Sequence, residues 1–209
     1  MSYDEIDSAK DELYEQIAQE LYPEHKTQAV EEFTAERLCS FYTLHPSVMR
    51  PAINALQEAK ALKENHHYSA AVVFFVSSIE LLLKATLLKP VVYGLVHNEQ
   101  LADIIVQHTL GQAGFDRYET LLADLFSSLA DLNVKEITRD GANQRLLTEC
   151  KQLQKIRNQI IHKGEAATKA NVDQAHLVAV AAYEKIVVPM LHSIGLVVGE
   201  KGTISRRLS

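Results

Sequence analysis

No run of eighteen consecutive apolar residues occurs in this 209-residue sequence; the most hydrophobic stretch, Ala70 to Leu88, is broken by Ser77, Ser78, Glu80 and Lys84. A helix that crosses a bilayer needs about twenty such residues, so no membrane span is expected. The opening residues, Met1-Ser2-Tyr3-Asp4-Glu5, lack the basic and apolar regions of a signal peptide, and a cytoplasmic location is the expectation. Cysteine is scarce. Cys39 and Cys150 each fall inside a helical pattern and outside any CxxC pair, which argues for structural thiols and against a disulfide framework or a zinc module. There is no glycine-rich phosphate loop, no GxSxG elbow, no internal repeat and no low-complexity tract. Of the nine histidines, His66, His67 and His97 cluster in sequence but lack the spacing of an HExxH pair. No metal and no cofactor are therefore expected.

What is present is a globular composition, 47% hydrophobic and 23% charged, sufficient for one good core. The net charge of −6 argues against a protein that coats nucleic acid, but the charge is unevenly placed. Residues 1–36 hold eleven Asp and Glu against two Lys. Between Lys151 and Ala170, by contrast, stand Lys151, Lys155, Arg157, Lys163 and Lys169 against Glu165 alone. Such a rim attracts phosphate; equally, lysines near a helix end are favoured by the helix dipole.

Periodicity divides the chain into an acidic N-terminal helical extension, 1–45, a helical bundle, 46–198, and a flexible C-terminal tail, 199–209. The extension reads as two helices. The first covers 4–22, with Ile6, Leu13, Ile17 and Leu21 on one side and a stop at Pro23; the second runs from His25 to Tyr42. It serves either as a lid or docking arm, or as a hairpin that completes the core. Ser47 to Asn65 forms the next helix, with Ser47 as N-cap. His66 to Lys89, apolar around almost its whole circumference and closed by Pro90, is the central buried helix. Gln100 to Leu110 and Phe115 to Leu132 follow, then a loop from Asn133 to Gly141. The last long helix runs from an Asn171 N-cap to about Val198, with a kink at Pro189.

Between them lies an amphipathic helix starting near Ala142, whose stripe of Leu146, Cys150, Leu153, Ile156, Ile160 and Ile161 faces the core. Arg157 projects near the middle of that stripe, where a guanidinium is costly unless it is paired. Glu80, the carboxylate of the central helix, is the proposed partner; the alternative is a solvent-facing Glu80–Lys84 pair at i, i+4 spacing. Gly164 fits a C′ cap, which places His162 in the last turn. His176 and Tyr183, close to the motif in sequence, either line the same cleft or lie on the surface.

Arg157-Asn158 followed by His162 after a gap of four, together with an apolar helix carrying Ser78-Ile79-Glu80-Leu81-Leu82-Leu83-Lys84, resembles the HEPN family over roughly His66 to Leu196. The resemblance implies an all-α, HEPN-like four-helix bundle acting as a metal-independent endoribonuclease in toxin–antitoxin or antiviral defence. The first sixty or so residues fall outside it.

Taken on their own chemistry, Arg157, Asn158 and His162 supply a permanent cation, an amide and a group able to titrate near neutrality. A histidine can take the proton of an RNA 2′-hydroxyl or protonate the leaving oxygen, and an arginine stabilises the phosphorane. One histidine does not readily do both. The resemblance implies that the second comes from a homodimer partner, with Arg157 as phosphate clamp and Asn158 as a positioning group; the local charge bias makes Lys151, Lys155 and Lys163 the candidate RNA-binding rim. RNA, and an antitoxin or defence-system protein, are the implied partners. The competing reading is a non-catalytic HEPN-like module that binds a partner protein or a nucleotide.

Overall fold

The structure, a computed structural model, describes residues 32–96, 98–107 and 132–207, together with 120, 122–124, 127 and 130. The helix expected over 4–22, the glycine-rich link at 111–114 and most of the helix expected over 115–132 lie outside the described residues. The architecture is an all-α bundle with one small hairpin. Helix α1 covers 32–44, α2 Arg50–Glu64 and α3 Tyr68–Glu80. A π-helical segment, Leu81–Leu88, carries α3 without a break into α4, Lys89–Leu95. Helix α5 is Glu99–Val106, α6 Leu146–Lys163 and α7 Lys169–Ala182. A second π segment, Tyr183–Val187, leads into α8, Val188–Ser193.

Helix α3 packs against α2, α6 and α7, as its apolar circumference requires. Ala52, Leu56 and Ala59 are the buried face of α2, and the small size of the two alanines lets the backbones approach. Ser78 Oγ donates to the Ala52 carbonyl at 3.0 Å inside this contact, so the buried hydroxyl is satisfied. By length and composition Tyr68–Gly94 would reach across a membrane, but 61% of its most apolar window is buried inside the protein. Its hydrophobicity is spent on the core.

The structure departs from the sequence pattern at both prolines of the long helices. The helix expected to close at Pro90 continues to Leu95. Proline has no N–H to give to the carbonyl four residues back, which here belongs to Thr86. The buried Tyr42 hydroxyl of α1 donates to that carbonyl instead, at 2.6 Å. The π segment ahead of Pro90 absorbs the local mismatch, and the same device precedes Pro189, where a kink was expected. The two π segments pack on each other.

Boundaries shift elsewhere for local reasons. Helix α2 begins at Arg50 after a turn, not at a Ser47 cap. Helix α7 is capped by Thr168, whose hydroxyl accepts from Asn171 N while the Asn171 side chain accepts from Thr168 N. Asn171 is therefore the third residue of a capping box and not the cap. Helix α6 starts at Leu146 because residues 137–145 form a fixed loop. In it Arg139 Nε donates to both carboxylate oxygens of buried Glu149 at 2.9 Å, Arg145 pairs with Glu136 and Lys185 with Asp140.

The expected flexible tail is corrected over residues 199–207. Leu196–Val198 (β1) and Ile204–Arg206 (β2) form an antiparallel pair with Val198 opposite Ile204. The pair is seated on the bundle: Ile204 N donates to the Pro46 carbonyl at 2.8 Å, and Ile204 is buried. Gly202, at φ 74°, lies so close to α2 that an added Cβ would fall 2.7 Å from Ile53 Cγ1. Two apolar contacts and a backbone bond hold a segment that by composition alone looks mobile.

Helix α1 carries Leu38 and Tyr42 at zero exposure. The described part of the N-terminal extension thus completes the core, while Phe33 is half-exposed.

Candidate functional site

Helix α6 presents Leu146, Cys150 and Leu153 to the core, with Ile156 and Ile160 partly buried against it. Arg157 lies beside this stripe and is half-buried, its side chain 24% exposed. Its Nη2 donates to Glu80 Oε2 at 3.1 Å, so the expected pair across α3 and α6 forms, through one bond and not a bidentate one. The other carboxylate oxygen is taken by Gln154 Nε2 at 2.9 Å. Arg157 Nη1 donates to Asn158 Oδ1 at 3.0 Å. Among the described residues Arg157 Nε is buried without a hydrogen-bond partner. Two of the five guanidinium N–H groups are thereby used to fix its plane.

Lys84, on the π segment, stands in the same electrostatic neighbourhood. Burial and the nearby Arg157 charge push its ammonium below the usual lysine range, against the opposing pull of Glu80. Glu80 serves Arg157 directly with its side chain 21% exposed, so it does not face solvent as the alternative pair requires, and its charge also acts on Lys84.

One turn beyond, α6 ends as its sequence requires. Gly164 adopts the left-handed conformation, φ 69° and ψ 20°, and Gly164 N and Glu165 N return to the Ile160 and Gln159 carbonyls. His162 is exposed in this last turn. Ile161 is 51% exposed and leaves the core stripe in which it was counted, since it follows Ile160 by 100° of rotation. Lys155 and Lys163 are exposed and Lys151 is half-buried. The loop after Gly164 is anchored to α3, where Ser69 Oγ accepts from Ala167 N at 2.9 Å.

His176 and Tyr183 do not join Arg157. His176 stacks on Phe75 with ring centroids 5.2 Å apart and accepts at Nδ1 from Lys63 Nζ at 3.4 Å, while Lys63 also pairs with Asp173 at 2.8 Å. Burial and the Lys63 and Lys60 charges hold its imidazole below the usual histidine range, with Asp173 opposing them. Tyr183 belongs to the second π segment, and burial raises its phenol. His66 caps the end of α2 at φ 62°, with Nδ1 3.1 Å from the Tyr68 hydroxyl.

Gln154 escaped the sequence reading, although it lies three residues before Arg157 and so on the same helix face. Among the described residues no group of three or more His, Cys, Asp or Glu could hold a metal. No family model matches this sequence, and comparison with curated proteins and with solved structures returns no match.

Proposed function

We propose that the chain is a metal-independent endoribonuclease of HEPN type, built from Arg157, Asn158 and His162 and completed by a second copy of the chain. The observation that carries this reading is the Glu80–Arg157–Asn158 relay, which fixes a half-buried guanidinium on the same helix as an exposed histidine, about 1.4 turns before it. A purely structural bundle gains little from an arginine in that place, since an apolar residue of similar volume is as stable or more so.

In the reaction the 2′-hydroxyl loses its proton to one His162 and attacks the adjacent phosphorus. The P–O5′ bond breaks as the His162 of a second subunit protonates the leaving oxygen, giving 2′,3′-cyclic phosphate and 5′-hydroxyl ends. Arg157 offsets charge on the phosphorane, Asn158 and Glu80 hold its plane, and Lys151, Lys155 and Lys163 draw the strand in. Exposed Ile161, next to His162, gives apolar surface for a two-fold contact. Action in toxin–antitoxin or antiviral defence, with a cognate partner protein, belongs to the same proposal.

The test is cleavage of total RNA and tRNA in excess EDTA by wild type and His162→Ala, with end-group analysis. Cleavage by wild type alone with cyclic-phosphate ends supports the reading. Equal cleavage by both sinks the assignment of His162, and silence from both favours a non-catalytic binding module.

A further inference from the structure

At the far end of the long helix from His162, two adjoining cavities of about 430 and 360 Å³ open between α1, the turn after it and α4. Ser69, bonded to the loop behind His162, and Tyr93, in the wall of both cavities, are separated by about 35 Å at 1.5 Å per residue. The cleft is therefore separate from the motif. It belongs to none of the groups assigned to RNA cleavage.

Its floor is aromatic. Phe41 meets His45 at 4.6 Å and Tyr93 at 6.0 Å between ring centroids, and all three line both cavities. Tyr93 is fixed at its hydroxyl by a hydrogen bond to Asp103. Leu44, shared by the two cavities, is 77% exposed. Charge is arranged around this floor: Lys89 Nζ sits over the Tyr93 ring, 5.3 Å from its centroid, in one lobe, and Arg37 lines the other.

Each feature narrows the ligand. The larger lobe lies within the roughly 300–1,000 Å³ of small-molecule pockets and is too small for a folded domain. Rings tilted on one another and part-open to water, beside an exposed leucine, favour a flat aromatic ring. Lys89 and Arg37 at the two ends favour an anion joined to that ring. Asp103 stands in the same lobe as Lys89, so a simple aromatic carboxylate would meet an opposing charge with nothing to donate. A sugar hydroxyl has a proton for it.

We infer that the Phe41–His45–Tyr93 cleft binds a nucleotide, with the base on the aromatic floor, the phosphate at Lys89 or Arg37 and a ribose hydroxyl toward Asp103. The nucleotide comes either free or as one unit of an RNA strand, and both sources present the same chemistry.

Calorimetric titration of the full-length protein with AMP tests the assignment, with adenosine and inorganic phosphate as controls and a tri-adenylate as competitor. AMP binds saturably, more tightly than adenosine, and Lys89→Gln weakens it by about tenfold. Lys89 is exposed, so this variant folds, which a thermal melt checks. His162→Ala binds AMP as wild type does, which keeps failure here separate from failure of the nuclease reading. Displacement of AMP by the trinucleotide identifies the strand as the source; absence of displacement identifies the free nucleotide. No saturable binding of AMP or of the trinucleotide overturns the inference, as does AMP binding that survives a Lys89→Gln, Arg37→Gln double substitution.

Discussion

Replacing Tyr42 by Phe removes one oxygen atom from the core and leaves the ring in place. The consequence is set by Pro90. The Thr86 carbonyl has lost its usual helical donor to the proline ring, and the Tyr42 hydroxyl supplies the substitute at 2.6 Å. Tyr42 is fully buried, and burial pushes its phenol far above the usual tyrosine range, so it stays a protonated donor at any ordinary pH. Without it a buried carbonyl goes unsatisfied, which costs about 1–3 kcal/mol. For a chain of this size that lowers Tm by roughly 2–4 °C per kcal/mol.

Urea denaturation of four proteins isolates the cause: wild type, Tyr42→Phe, Pro90→Ala and the double variant. Alanine at 90 restores an N–H to the helix, so Tyr42→Phe costs less in that background, by about 1 kcal/mol. Additivity within about 0.5 kcal/mol would refute the substitution of hydroxyl for backbone amide, and the passage of the helix through Pro90 would then need another explanation.

Three further outcomes are expected. Glu149→Ala strands the Arg139 guanidinium bound at 2.9 Å by both carboxylate oxygens and costs about 3 kcal/mol, the lower end for a broken buried pair, because Arg139 keeps 21% exposure; denaturant midpoints measure it. Gly164→Ala meets open space but retains φ 69°, so it costs about 1–2 kcal/mol of backbone strain alone, and a loss below about 0.3 kcal/mol would show that the helix end has rearranged. The third concerns pH. His176 is held below its ordinary 6.5 in the folded state, so the unfolded chain binds its proton more readily and stability falls as pH drops through about 6.5. His176→Phe flattens the Tm profile between pH 7.5 and 5.5, and an unchanged slope would show that other groups set it.

Much of the candidate site was legible because it rests on periodicity and on single side-chain costs. A guanidinium on an inner helix face demands a carboxylate, the central helix offers Glu80, and the two meet. Gly164 as a helix terminator followed from the same local rules. What was missed depends on partners distant in sequence. Gln154 looks like an ordinary polar residue until the arrangement of α3 and α6 sets it against Glu80. Pro90 reads as a stop because the donor that spares it sits on α1, forty-four residues from the Thr86 carbonyl it serves. The hairpin at 196–206 lacks a strong alternating pattern and exists because Ile204 and Gly202 find seats on the turn at Pro46 and on α2. The cleft around Phe41 had no motif at all, since its walls come from α1, the turn after it, α4 and α5.

The seating of that hairpin also fixes the order in which the molecule can be completed. Cys39 donates to the Ile194 carbonyl, 155 positions away, and the Pro46 carbonyl waits for Ile204 N. Contacts of such span are among the last to form, because the entropy of closing the loop must be met first. During synthesis at about 5–20 residues per second, α1 and α2 exist for roughly 7–28 seconds before residue 204 is made. Throughout that interval the surface around Met49 and Ile53 lacks its cover. A nascent chain thus exposes the first half of the bundle longest, and this is where a chaperone would be expected to hold it.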